Sequence, residues 1–118
     1  MKFSLSVAVG NYDRTRALVD GRVRIDGVNP AFMTLSPEEM FFRAFRHADF
    51  DITELSLASY AVSLANDANE YTALPIFLSR AFRHSSIYVT HESGIQKPEQ
   101  MRGKRIGIAE YQIGRAHV

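Results

Sequence analysis

The stretch Phe50-Asp51-Ile52-Thr53-Glu54-Leu55-Ser56-Leu57-Ala58-Ser59-Tyr60 decides how the rest of the chain is read. Phe50, Ile52 and Leu55 are the apolar positions of a short buried strand, and Ser56 offers a hydroxyl where a helix should begin. A strand that runs into a helix start collects several unpaired backbone N–H groups at one point, and those groups favour an anion. Glu54, Ser56, Ser59 and Tyr60 are therefore candidate lining of a ligand cleft. Taken alone, the stretch reads first as an ordinary βα junction whose serine does no more than cap its helix.

On the N-terminal side, Phe3, Leu5, Val7 and Val9 alternate with small or polar residues, which is the period of a strand. The chain then turns at Gly10-Asn11-Tyr12-Asp13, with Asp13 expected as the N-cap of a short helix carrying Ala17, Leu18 and Val19. Residues 21–30 form a connector punctuated by Gly27 and Pro30, and residues 31–35 a second short strand. Ser36-Pro37-Glu38-Glu39 is the clearest local signal: a serine N-cap, a proline at the first helical position and a glutamate placed to close a capping box. It predicts a helix over 37–47 with Met40, Phe41, Ala44 and Phe45 toward the sheet and Arg43, Arg46 and His47 nearer solvent.

On the C-terminal side the pattern predicts a helix over 56–66 with Leu57, Ala61, Leu64 and Ala65 on one face. The apolar run 71–78 reads as a strand, and Pro75 puts it at an edge or a bend. Ser79-Arg80-Ala81-Phe82-Arg83-His84-Ser85-Ser86 is the densest polar cluster. Residues 87–90 resume an extended pattern, 97–103 read as a short helix ended by Gly103, and 104–109 as a last strand.

The order β, α, β, α, β, α, β, β, α, β with short links implies an α/β domain whose sheet is largely parallel. Ligands of such sheets bind beyond the carboxyl ends of the strands. That rule brings Asn11, Tyr12 and Asp13, then Glu54 to Tyr60, then residues 79–84, to one side of the domain.

Composition narrows the classes of function. A chain of 118 residues with 46% apolar content can hold one domain with a hydrophobic core. Its 14 basic and 13 acidic residues give a net charge of +1, so bulk charge drives it toward neither nucleic acid nor a membrane surface. Without cysteine there is no disulfide, thiolate metal site or thiol nucleophile. The first ten residues alternate too strictly, and turn polar too soon, for a secretory leader; no segment approaches the roughly 20 apolar residues of a membrane span. A cytoplasmic location is expected.

Four segments together carry a family resemblance: Asn11-Tyr12-Asp13-Arg14-Thr15-Arg16-Ala17-Leu18, the 50–60 stretch, Phe82-Arg83-His84-Ser85, and Pro98-Glu99-Gln100-Met101-Arg102-Gly103-Lys104-Arg105-Ile106-Gly107-Ile108. In these the chain resembles the N-terminal part of the 4,5-dihydroxyphthalate decarboxylase family, whose fold is similar to that of type II periplasmic binding proteins. The last segment is generic to many solute-binding proteins; residues 50–60 and 79–85 are the more specific. The resemblance implies that residues 1–112 are the first lobe of a two-lobed protein, with the crossover beginning at Glu110-Tyr111-Gln112. Residues 113–118 depart from the apolar helix expected next, match one reading frame of a common sequencing adapter, and are read as a non-native tail.

The chemistry implied by the resemblance is loss of one carboxylate, as carbon dioxide, from a dihydroxylated aromatic dicarboxylate. A cationic fork would hold the retained carboxylate, and Arg80 and Arg83 are the candidates, against solvated loop arginines or ion pairs to Asp51 or Glu54. His84 and Glu54 are the candidates for proton transfer to the ring carbon, although, the resemblance aside, such a histidine is more often a hydrogen-bonded structural one than a general acid. Asn11, Tyr12, Asp13, Ser56, Ser59, Tyr60 and Tyr111 are candidate substrate contacts. The ring hydroxyls supply electron density, so no organic cofactor is required; His84, His91 and Glu54 lack a recognised metal spacing, and a divalent metal is left open. The competing class is a solute-binding protein that captures an anionic aromatic in the same cleft, which would place it in the periplasm.

Overall fold

The computed structural model describes residues 2–80 and 87–107. Three strands and three helices alternate: β1 (Phe3–Val9), α1 (Asp13–Val19), β2 (Val28–Thr34), α2 (Pro37–His47), β3 (Ile52–Thr53) and α3 (Leu57–Ala65). The strands form one parallel sheet in the order β2-β1-β3, with β1 at its centre. Phe3 lies opposite Val28 and Val9 opposite Thr34 on one side, and Val7 and Ala8 lie opposite Ile52 and Thr53 on the other. The α/β class and the parallel sheet flanked by helices are as the sequence pattern implies.

The core follows from the pleat of β1, whose successive side chains point to opposite faces. Ala8 packs with Met40, Phe41 and Ala44 of α2 and with Phe50, while Met33, Leu35, Phe45, Leu55 and Tyr71 close the edges of this cluster. Val7 and Val9 are buried on the other face. Helix α2 is anchored as its sequence predicts: the Ser36 side chain accepts from the Glu39 amide, and Pro37 occupies the first turn. Glu39 does not close a box with its own carboxylate, which lies 3.4 Å from Arg43 instead.

Two clamps hold the short strand β3 in place. Asp51 Oδ2 accepts from the Ser6 amide at 2.7 Å and from the Ser6 hydroxyl at 2.8 Å, while the Asp51 amide donates to Ser6 Oγ. These bonds hold the Asp51 carboxyl below its ordinary range, the amide of Ser6 being the main cause. From the far side, the Tyr71 hydroxyl donates to the Phe50 carbonyl at 3.0 Å, and burial pushes this phenol up.

Several expectations are corrected. Strand β2 begins at Val28 and includes Pro30 opposite Leu5, because among the described residues β2 has one partner strand, β1, and the missing N–H of an edge proline can face away from it. Tyr12, not Asp13, is at the N-cap of α1, without a side-chain cap, and Asp13 is the first helical residue, where a carboxylate still complements the helix dipole. Residues 71–78 form no strand, since their backbone groups are engaged elsewhere: the Tyr71 amide by Asn69, the Ala73 amide by the Tyr60 hydroxyl, and the Ile76 amide by Leu74 across Pro75. Neither 87–90 nor 104–107 is a strand, and residues 108–109 lie outside the described ones. The short helix near residue 100 is a 3-10 turn, Pro98–Met101. In α3 the buried side is formed by Ser59 and Ser63, and the face bearing Leu57 and Leu64 is turned outward.

Candidate functional site

Beyond the carboxyl ends of the strands the loop after β1 folds back on itself. Gly10 is buried at the end of β1, and the ring of Tyr12 returns across it so closely that a Cβ at position 10 would sit 2.6 Å from the Tyr12 hydroxyl oxygen. The constraint at position 10 is thus one of space rather than backbone angle: any side chain there would displace the Tyr12 ring. The same loop is closed underneath by Thr15, whose buried hydroxyl is 3.1 Å from the Tyr12 carbonyl and 3.3 Å from that of Gly10.

Glu54 reaches this loop from the end of β3. Its amide donates to the Ala8 carbonyl, which continues the sheet ladder by one bond and fixes where its side chain starts. Oε1 then accepts from the Tyr12 hydroxyl at 2.9 Å, and Oε2 from the Gly10 amide at 3.2 Å. Each carboxylate oxygen thus has a donor, and the phenol of Tyr12 is held by its oxygen end. The guanidinium of Arg14 lies over the same ring, 4.2 Å from its centroid, and its Nε donates to the Leu78 carbonyl. Three segments remote in sequence, 10–14, 54 and 78, are joined at one place.

Beside this junction opens a cleft of about 240 Å3, lined by Gly10, Asn11, Tyr12, Thr15, Arg16 and Thr34 among others. Arg16 Nη2 donates to the Asn11 side-chain carbonyl at 3.0 Å, which ties together two of the residues that line the cleft. The Arg16 guanidinium, the Asn11 amide and the hydroxyl-bearing residues Tyr12, Thr15 and Thr34 are thus the polar groups around this open hollow, with Val19 on its wall.

The other candidate residues are distributed as follows. Ser56 accepts from the Ser59 amide and caps α3, and Ser59 is buried. Tyr60 accepts the Ala73 amide at 3.1 Å, so its hydroxyl pins the 72–80 segment to α3. Asp13 is exposed in the first turn of α1. Arg80 is stacked 3.9 Å over the ring of Phe77 rather than paired with Asp51 or Glu54, both of which are engaged with other groups. Arg83, His84 and Tyr111 lie outside the described residues. Among the described residues no three His, Asp or Glu side chains come together as metal ligands, and no helix is long and apolar enough to cross a membrane.

Sequence reasoning passed over Arg14, Thr15 and Arg16. Their signal lay in position: two arginines and a threonine directly behind the turn that ends β1, on the side where a parallel sheet binds its ligands.

The chain is thus a parallel α/β sheet with an open polar cleft, bearing the Arg16 guanidinium, at its carboxyl edge, which is where sheets of this class bind small molecules. Along nearly its whole length the chain is similar to two proteins named 4,5-dihydroxyphthalate decarboxylase, in keeping with the resemblance carried by residues 11–18, 50–60, 82–85 and 98–108. It is 61% identical over 112 residues to the 4,5-dihydroxyphthalate decarboxylase of Comamonas testosteroni, covering 95% of this chain and 34% of that protein. It is 60% identical over 112 residues to the protein of the same name from Pseudomonas putida, again covering 95% of this chain and 43% of the relative. The chain therefore spans between about a third and two-fifths of the length of the curated relatives it matches. No protein-family model matches it.

Proposed function

We propose that the full-length gene product containing this chain is a carboxy-lyase that releases one carboxylate of 4,5-dihydroxyphthalate as carbon dioxide. The observation that carries the reading is the identity of about 60% to two decarboxylases of that name, over 95% of the chain. In the reaction the ring carbon that bears one carboxylate takes up a proton, and the hydroxyl para to it supplies electron density to the cationic ring so formed. The bond to the carboxylate then breaks, its electron pair restores the aromatic ring, and carbon dioxide leaves.

The roles follow from the donor types present. Arg80 and Arg83 form the fork for the retained carboxylate, and Asn11, Tyr12, Asp13, Ser56, Ser59, Tyr60 and Tyr111 complete the contacts to the ring substituents. His84 delivers the proton, and Glu54 shares in proton handling through the hydroxyl of Tyr12, to which it is bonded. Residues 1–112 serve as one lobe of a two-lobed cleft, and 113–118 as a non-native tail. Both matched relatives are named as decarboxylases, which favours the enzyme over a solute-binding protein.

The test is to incubate the full-length gene product with 4,5-dihydroxyphthalate and follow carbon dioxide and 3,4-dihydroxybenzoate. Stoichiometric release of both supports the reading; tight binding without turnover replaces it with the solute-binding one.

A further inference from the structure

Residues 72–80 belong to no helix or strand. Among the described residues their fastenings are few: the Ala73 amide on the Tyr60 hydroxyl, the Ile76 amide on Leu74, and the Leu78 carbonyl under Arg14 Nε. The last of these is the one that reaches the first turn of α1, directly behind the loop after β1. Arg14 is exposed, and an exposed arginine held in one geometry gives up rotamer freedom for little gain in stability. Its geometry is nonetheless doubly fixed, by the carbonyl at its Nε and by the Tyr12 ring 4.2 Å from its guanidinium carbon. Tyr12 in turn is fixed by Glu54.

We infer that Arg14 is a positioning residue, which fastens residues 78–80 to the rim of the cleft and so sets where the Arg80 cation is presented. Only a planar guanidinium can stack on a ring while one edge nitrogen donates sideways to a carbonyl. Arg80 is two residues beyond the fastened carbonyl, so releasing Leu78 releases it as well. The part of the inference that concerns substrate rests on the carboxy-lyase reading; the fastening itself does not.

The experiment compares the full-length protein with its Arg14→Ala variant in two ways. Without substrate, chymotrypsin should cut after Phe77 and Leu78 at least about threefold faster in the variant, because local opening is what exposes a chain to protease. With 4,5-dihydroxyphthalate, KM should rise about tenfold while kcat stays within about twofold, the pattern of lost uniform binding. Unchanged cleavage overturns the fastening, and faster cleavage with unchanged KM overturns the positioning role. If the parent protein does not turn over 4,5-dihydroxyphthalate, the carboxy-lyase reading fails, and the substrate-free cleavage still decides the fastening.

Discussion

The hydroxyl of Tyr12 donates to Oε1 of Glu54 over 2.9 Å, joining residues 42 positions apart at the carboxyl edge of the sheet. Because Oε2 accepts from the Gly10 amide at the same time, the carboxylate is a bracket between β3 and the loop after β1. Geometry and charge can be separated by substitution. Glu54→Gln keeps an oxygen for Gly10 and can offer its amide group to the Tyr12 oxygen, whereas Glu54→Ala removes the bracket. The expected outcome is that Glu54→Gln unfolds within about 0.5 kcal/mol of the parent while Glu54→Ala loses about 1–3 kcal/mol. Both should lower kcat by at least about tenfold if Glu54 handles protons. Urea denaturation and steady-state kinetics of the full-length protein check the two halves.

Gly10 predicts a second result. A methyl group at this position meets the Tyr12 ring, so Gly10→Ala should force the ring out and break its bond to Glu54. Activity should fall about as far as in Tyr12→Phe, and the double variant should be no worse than either single one, the signature of two residues acting as a unit. A fully additive double variant would separate them.

Asp51 makes stability depend on acid. Its carboxyl is held below the ordinary value of 3.8 by the Ser6 amide and hydroxyl, so the folded state binds the proton less readily than the unfolded chain does. Such a group adds stability that is present above about pH 3.8 and is lost as pH falls through the lower folded value. The stability difference between the parent and Asp51→Ala should therefore be constant near neutrality and shrink below pH 3.8, as denaturation midpoints across an acid series would record.

Met40 is fully buried in the cluster formed with Ala8, Phe41, Ala44 and Phe50. Met40→Ala leaves a cavity that the rigid sheet on one side cannot collapse, and should cost about 2–5 kcal/mol. Met40→Leu conserves volume and should cost less than about 1.5 kcal/mol. Equal midpoints for Met40→Ala and the parent would show that the α2 packing is not what holds the sheet.

What the sequence determined by itself is local. Alternation in residues 3–9 specified β1, and Ser36-Pro37 specified the start of α2, because a cap hydroxyl and a proline ring act on backbone groups no more than three residues away. Ser56 set the start of α3 in the same way. The alternation of strands and helices was enough for a parallel α/β sheet, and Asn11, Tyr12 and Glu54 were legible as site candidates because they follow strand ends. What only the tertiary structure decided depends on partners distant in sequence. Pro30 is tolerated because β2 lies at the edge of the sheet, and 71–78 is kept from a ladder by Asn69 and the Tyr60 hydroxyl. Burial in α3 went to Ser59 and Ser63 rather than to its leucines. The bracket of Glu54 on Tyr12 and Gly10, and the placement of Arg14 between Tyr12 and Leu78, arise the same way: a hydrogen bond across 42 or 64 residues leaves no trace in the local pattern, since nothing in the neighbouring side chains states which remote carbonyl or carboxylate the fold will bring within reach.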